Sequence, residues 1–284
     1  MTATLCLLCI PLRFPPNRTS FSSTSISLTP IRAQNQEIRV CTNRTCRRQG
    51  SFQTLETLSA LAPPTITVNP SGCLGKCGAG PNVAVLPDGF VVGHCATPAR
   101  AAEVIMQLSG GVSDSLGVSK SLEALALRKR AECEVEDGNF SQADLLLSKA
   151  IELKPCGGIH IIFKDRSIVR LALGNHAGAL EDANEALRVA PRYPEAYICQ
   201  GDVFLSMDHF DSAEMSYSTA LEIDPSIRRS KSFKARVAKL QEKLNADATI
   251  VGIDSGSSNY ISTKNRSKLV LEGFIIHPMS PMRC

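Results

Sequence analysis

Eleven cysteines in 284 residues is a thiol density that belongs to disulfide frameworks or to metal ligands, and spacing has to separate the two. Four of them form two pairs: Cys41 and Cys46 with four residues between them, then Cys73 and Cys77 with three, and a gap of 26 residues between the pairs. Structural zinc favours the tight C-x2-C knuckle, whose short turn aims both sulfurs at one ion, and neither pair has it. A cubane cluster would show C-x2-C-x2-C, which is also missing. Two wider pairs suit a rhomb of two irons bridged by two sulfides, with two thiolates on each iron. Gly72, Gly75, Gly78 and Gly80 would let backbone amides approach those sulfides. A zinc ion, two disulfides, or a module whose thiols hold nothing are the other readings of the same residues. A dithiol oxidoreductase is disfavoured, because C-x3-C lacks the geometry that lowers an attacking thiol's pKa.

The elements that position these thiols are short. Ile38-Arg39-Val40 reads as a strand. Ser51 opens a helix with Phe52, Leu55, Leu58 and Leu61 on one face, until Pro63 stops it. Thr65 to Val68 reads as a second strand, and Val83 to Leu86 with Phe90 to Val92 as a hairpin turned by Asp88-Gly89. Thr97 caps a closing helix with Pro98 at its first position and Ala101, Val104, Ile105 and Leu108 on its apolar face. The order β-α-β-β-β-α predicts a sheet with helices packed on it, each cysteine pair lying in a loop after a strand. Cys95 is one thiol more than the pairs need and reads as a buried, inert side chain.

Cys41-Thr42-Asn43-Arg44-Thr45-Cys46 and the stretch from Gly72 through Cys73, Cys77, Gly80 and Pro81 to Val83 resemble the thioredoxin-like [2Fe-2S] ferredoxins, the family that includes a small subunit of respiratory complex I. The resemblance covers a quarter of the chain. It implies an α+β thioredoxin-like ferredoxin domain over 37–110, a [2Fe-2S] cluster held by Cys41, Cys46, Cys73 and Cys77, and one-electron transfer or redox sensing as its work.

After a Gly/Ser-rich linker at 111–121 the composition turns to Ala, Leu and Glu with helical periodicity. Gly138, Asn139, Phe140, Ala143, Leu147, Ala150 and Pro155 recur as Gly174, Asn175, His176, Ala179, Ala183, Ala186 and Pro191, an offset of 36. They recur again, at 34, as Asp208, His209, Phe210, Ala213, Tyr217, Ala220 and Pro225. Small residues where two helices approach, a filler between them and a proline after the second helix resemble the tetratricopeptide repeat. The resemblance implies an all-α solenoid of three repeats plus a capping helix over 122–245, with a groove that binds a protein partner. One subfamily clamps the C-terminal carboxylate of heat-shock chaperones with Lys, Asn and Arg. Those positions here hold Arg128, Glu132, Asp165, Glu195 and Cys199, with Lys164 beside them, and these six are the candidate partner contacts. Three carboxylates in place of amides and cations make chaperone-clamp binding disfavoured by like-charge repulsion. On the cap, Arg228, Arg229, Lys231, Lys234, Arg236, Lys239 and Lys243 face only Glu242.

The ends read differently. No acidic residue precedes Glu37, whereas Arg13, Arg18, Arg32 and ten Ser or Thr do, which is transit-peptide composition over 1–36. The expected location is the chloroplast stroma, with the mitochondrion as the alternative. Residues 246–284 lose all periodicity and read as a disordered tail. A formal charge of +4, no Trp and 4 Tyr argue against nucleic-acid binding, and no apolar run is long enough for a transmembrane segment. His94, His160, His176, His209 and His277 are scattered, no G-x-S-x-G is present, and the glycines around Cys73 precede a strand, so the chain is not expected to be an enzyme. The leading expectation is a chloroplast iron-sulfur protein docked to a complex through its repeats. The alternative is a scaffold or assembly factor that works through the repeat groove, its thioredoxin-like module purely structural.

Overall fold

The computed structural model describes residues 36–109 and 115–251, so the expected presequence, apart from Gln36, and the chain after Val251 lie outside the described residues. A small four-stranded sheet comes first. It holds β1 (Gln36–Cys41), β2 (Ile66–Ser71), β3 (Val83–Leu86) and β4 (Phe90–Val92) in the order β2-β1-β3-β4. β1 and β2 run parallel, Gln36 opposite Ile66 through Cys41 opposite Ser71, while β3 is antiparallel to both β1 and β4. β2 runs past the expected Val68 because Pro70, which lacks an N–H, is tolerated on an edge strand.

Three helices belong to this unit: α1 (Arg44–Arg48), α2 (Ser51–Leu61) and α3 (Pro98–Leu108). α3 starts where the sequence places it, Thr97 Oγ1 accepting from Arg100 N at 3.3 Å, a cap of about 1 kcal/mol. In α2 the buried face is rotated from the expected one. Thr54, Thr57, Leu58 and Leu61 turn inward, and Phe52 is exposed with the Arg47 guanidinium 4.8 Å from its ring centre. A threonine tolerates this burial because Thr54 Oγ1 donates to the Cys95 carbonyl at 2.7 Å. Ile38, Val40, Leu58, Val83 and Ile105 form the centre of the core.

The rest of the described chain is helical and TPR-like. Hairpins α4 (Ser115–Glu136) with α5 (Phe140–Glu152), α6 (Ile159–Ala172) with α7 (His176–Val189), and α8 (Pro194–Ser206) with α9 (Phe210–Ile223) precede the cap α10 (Lys231–Val251). Ala143, Ala150, Ala179, Ala183, Ala186, Ala213 and Ala220 have no exposed surface, as the repeat pattern requires. The third filler is larger: the Tyr217 ring occupies the space over Gly201, where an added Cβ would come within 2.5 Å of it. Asp202 locks the cap, accepting from Tyr217 Oη at 2.7 Å and pairing with Arg236 at 2.7 Å. Arg236 is therefore partnered within the array, whereas Lys243 meets Asp208 at the exposed surface, at 3.4 Å.

The expected linker at 111–121 needs correction, since α4 already begins at Ser115. Val118, Leu122 and Leu125 pack into the core of the sheet unit, so the first repeat helix is shared between both regions. The loop at Cys156-Gly157-Gly158 is also not a free insertion. Gly157 and Gly158 lie so close to the backbone of Ala60 and Leu61, at the end of α2, that a Cβ would approach their carbonyl oxygens to 2.1 and 2.0 Å. Among the described residues no helix is long and apolar enough to cross a membrane.

Candidate functional site

Two places gather chemistry-bearing side chains. The first follows from strand direction: because β1 and β2 are parallel neighbours, their C-terminal ends finish at one edge of the sheet. The residue after Cys41 is tied to the end of β2, Thr42 N and Oγ1 both donating to the Ser71 carbonyl, at 2.9 and 3.0 Å. Cys73 in the loop after β2 is thus carried to Cys41. Asn43 accepts from Arg44 N and starts α1, whose single buried residue is Cys46. Cys77 opens a 3-10 turn, Cys77–Ala79, with its Sγ 3.7 Å from that of Cys73. The four thiols line one cavity of about 70 Å³. The two cysteine pairs are thus neighbours in space.

Asn82 organises this pocket and went unselected by sequence reasoning. Its side chain is buried, donating from Nδ2 to the Lys76 carbonyl at 2.6 Å and to Cys46 Sγ at 3.6 Å, while its own carbonyl accepts from Cys41 N at 2.9 Å. The only signal was an amide next to Pro81 in a glycine-rich turn. Gly80 is required there, since a Cβ would stand 2.8 Å from Cys46 Sγ. Burial works to raise the Cys41 thiol, yet N–H groups of Asn43 and Leu74 and the neighbouring sulfurs bring it below the ordinary value. Burial raises Cys46, and the adjacent Cys73 raises Cys77. Cys95 lies in the core, its thiol pushed up by burial.

The second place is the face formed by α4, α6 and α8. Arg128 on α4 pairs with Glu132 at 2.7 Å and, across to α6, with Asp165 at 2.9 Å. Lys164 also pairs with Asp165. Four of the six predicted contacts are thus one ionic network. Glu195 is exposed in the first turn of α8, and Cys199 is buried one turn later with its thiol pushed up to about 12 by burial. Two further residues belong here: His160, buried at the start of α6, and Tyr193, whose ring meets the imidazole edge-on at 5.0 Å. Burial first, then Arg128 and Lys164, lower the His160 pKa to about 4, so it is neutral. Its Nδ1 is buried without a hydrogen-bond partner.

No protein-family model matches the chain. Among curated proteins it is similar to heat shock protein STI1 of Saccharomyces cerevisiae, 29% identical over 126 residues, 44% of this chain and 21% of that protein. It is also similar to the Hsp70-Hsp90 organizing protein of Triticum aestivum, 29% identical over 89 residues, 31% of this chain and 15% of that protein. The chain thus spans about a fifth or less of these relatives. Among solved structures it resembles the first TPR of Spaghetti (RPAP3) bound to the HSP90 peptide SRMEEVD, at 21% identity and a TM-score of 0.39, covering 44% of this chain and 95% of that one. The helical region is homologous to the TPR domains of these co-chaperone proteins, which are not enzymes, in keeping with the non-enzymatic expectation.

Two expectations are corrected. The [2Fe-2S] cluster and the electron-transfer function built on it are overturned: the relatives are co-chaperone TPR proteins, and among the described residues no group of three or more His, Cys, Asp or Glu is placed to hold a metal ion. The four thiols differ in exposure, Cys41 and Cys46 buried and Cys73 and Cys77 exposed. The second correction concerns the chaperone clamp, which counting carboxylates had disfavoured. Its premise of three uncompensated carboxylates does not hold in this structure. The count misled because Asp165 is not a free charge: Arg128 and Lys164 already neutralise it.

Proposed function

We propose that this chain is a non-catalytic adaptor whose TPR groove receives an acidic segment of a protein partner of the Hsp70 or Hsp90 class. The observation that carries the reading is the Arg128–Lys164–Asp165 network on α4 and α6, in a domain homologous to those of STI1 and the Hsp70-Hsp90 organizing protein. A guanidinium has five N–H donors, so Arg128 can donate to a ligand carboxylate while keeping its internal partners. Neutral His160 beneath it contributes no competing charge. At the third repeat the exposed Glu195 favours a neutral or basic ligand residue, and the peptide SRMEEVD has that polarity, acids toward one end and an arginine toward the other.

The sheet unit is, on this reading, a structural module clamped to the first repeat. Its strand order β2-β1-β3-β4, with helices completing the core, supports a thioredoxin-like arrangement for it. Fluorescence anisotropy of labelled SRMEEVD titrated with the full chain tests the proposal. Saturable binding is expected, weakened at least about tenfold by Lys164→Ala, a loss of roughly 1.4 kcal/mol. No saturable binding, or binding indifferent to that substitution, would overturn it.

A further inference from the structure

The groove uses none of the sheet unit's thiols, and the pair on the exposed loop has chemistry of its own. Cys73 and Cys77 are both exposed, with sulfurs 3.7 Å apart, whereas Cys41 and Cys46 are buried beneath them. A disulfide bond is about 2.05 Å long, so the pair must close by about 1.7 Å. The loop is built to give that much: an added Cβ at Gly72, Gly75 or Gly78 would meet no atom within 4 Å, so this backbone is unpacked on its outer side. The Gly75 N–H donates to Cys73 Sγ at 3.5 Å.

We propose that Cys73 and Cys77 are a reversible thiol–disulfide exchange site for small-molecule disulfides of the glutathione class. This makes the chain a target of exchange, not a catalyst of it, and the proposal stands independently of the adaptor reading. Cys73 Sγ, as its thiolate, attacks one sulfur of the small disulfide. That S–S bond breaks, a mixed disulfide forms, and the departing thiolate takes up the proton Cys73 released. Cys77 Sγ then attacks the Cys73 sulfur, forming the Cys73–Cys77 bond and expelling the second small thiol with the proton from Cys77. The chain loses two electrons and two protons, and the small disulfide is reduced to two thiols.

The test uses the reduced full chain, treated with a chelator so that no adventitious metal shields the thiols, and then with oxidised glutathione. Folded protein is alkylated and mapped by mass spectrometry. The expected result is a Cys73–Cys77 linked peptide that dithiothreitol reverses, with Cys41 and Cys46 still free once the chain is unfolded. Cys77→Ser, which circular dichroism should show to be folded, is expected to stop at a stable glutathione adduct on Cys73. Cys73 and Cys77 that stay fully alkylatable under excess oxidised glutathione would overturn the proposal, and so would a bond from either of them to Cys41 or Cys46.

Discussion

In the repeats, alanines without exposed surface recur where the helices of a hairpin meet, from Ala143 through Ala220, and the same positions return at offsets of 36 and 34. In the sheet unit no position repeats. Its core joins Ile38 and Val40 of β1, Leu58 of α2, Val83 of β3 and Ile105 of α3, each placed by a different turn or cap. A solenoid distributes stability over nearest-neighbour interfaces, whereas a single core rises or falls together. Here the two designs are not independent, because α4 contributes Leu125 to the sheet core and Ala131 to the first repeat core. The consequence is that the first repeat should unfold with the sheet unit, and the third repeat with its cap can fray separately.

The largest effect that would break this comparison is expected at the junction. Gly157→Val places a Cβ 2.0 Å from the Leu61 carbonyl oxygen, a clash with backbone that cannot rotate away, and should cost roughly 4 kcal/mol. Urea unfolding followed by a probe in each region checks it. Both signals should shift together, and a shift confined to the repeats would separate the two regions again.

Next comes the charge buried inside the array. Asp182 is nearly inaccessible and pairs with Arg166 at 2.6 Å and Arg170 at 3.0 Å. Asp182→Asn leaves two cations facing a neutral amide, and a loss of about 3 kcal/mol is expected in the middle repeat with little change in the sheet unit. Differential hydrogen exchange of the two regions reads the contrast.

An effect of similar size depends on pH. His160 has its pKa lowered to about 4 in the folded chain, by burial and then by Arg128 and Lys164, against an ordinary value near 6.5. Unfolding lets it take a proton in the interval between. Its contribution is therefore complete above pH 6.5 and is lost as pH falls toward 4, by about 3 kcal/mol at the lower end. Stability curves of the parent and of His160→Gln across that window should converge at low pH. Parallel curves would show that the imidazole is not held neutral.

The smallest effect is at the surface contact between the regions, where Lys129 pairs with Glu56 at 2.6 Å and both are largely exposed. Lys129→Ala should change stability by less than about 0.5 kcal/mol, measured by the same urea titration. A larger loss would mean that charge, rather than the shared core and the glycine contact, joins the two regions.

What could be read from the residues follows the same division. Periodic alanines announce the three hairpins, and strand and turn chemistry announces the β-α-β-β-β-α order apart from the short α1, because both are local patterns. The start of α4 was hidden by Gly117 and the serines around it, which read as linker although Val118, Leu122 and Leu125 carry the buried face. The α2 face was misplaced because Thr54 and Thr57 are polar by type and are buried only through long-range partners such as the Cys95 carbonyl. The four thiols were legible as a group from their position after two strands. Their chemistry was not, since spacing does not show which sulfurs are exposed. In the groove, counting carboxylates missed the pairing of Asp165, which depends on a contact between α4 and α6 that sequence alone does not reveal.

The account rests on the face formed by α4, α6 and α8 being where a partner is received. The most direct measurement is photo-crosslinking of a SRMEEVD peptide, carrying a photoreactive group, to the full chain, with the attachment sites read by mass spectrometry. Crosslinks on α4 and α6 near Arg128 and Lys164, suppressed by excess unlabelled peptide, are predicted. Specific crosslinks confined to α5, α7 and α9, or to the cysteine loop, would contradict it.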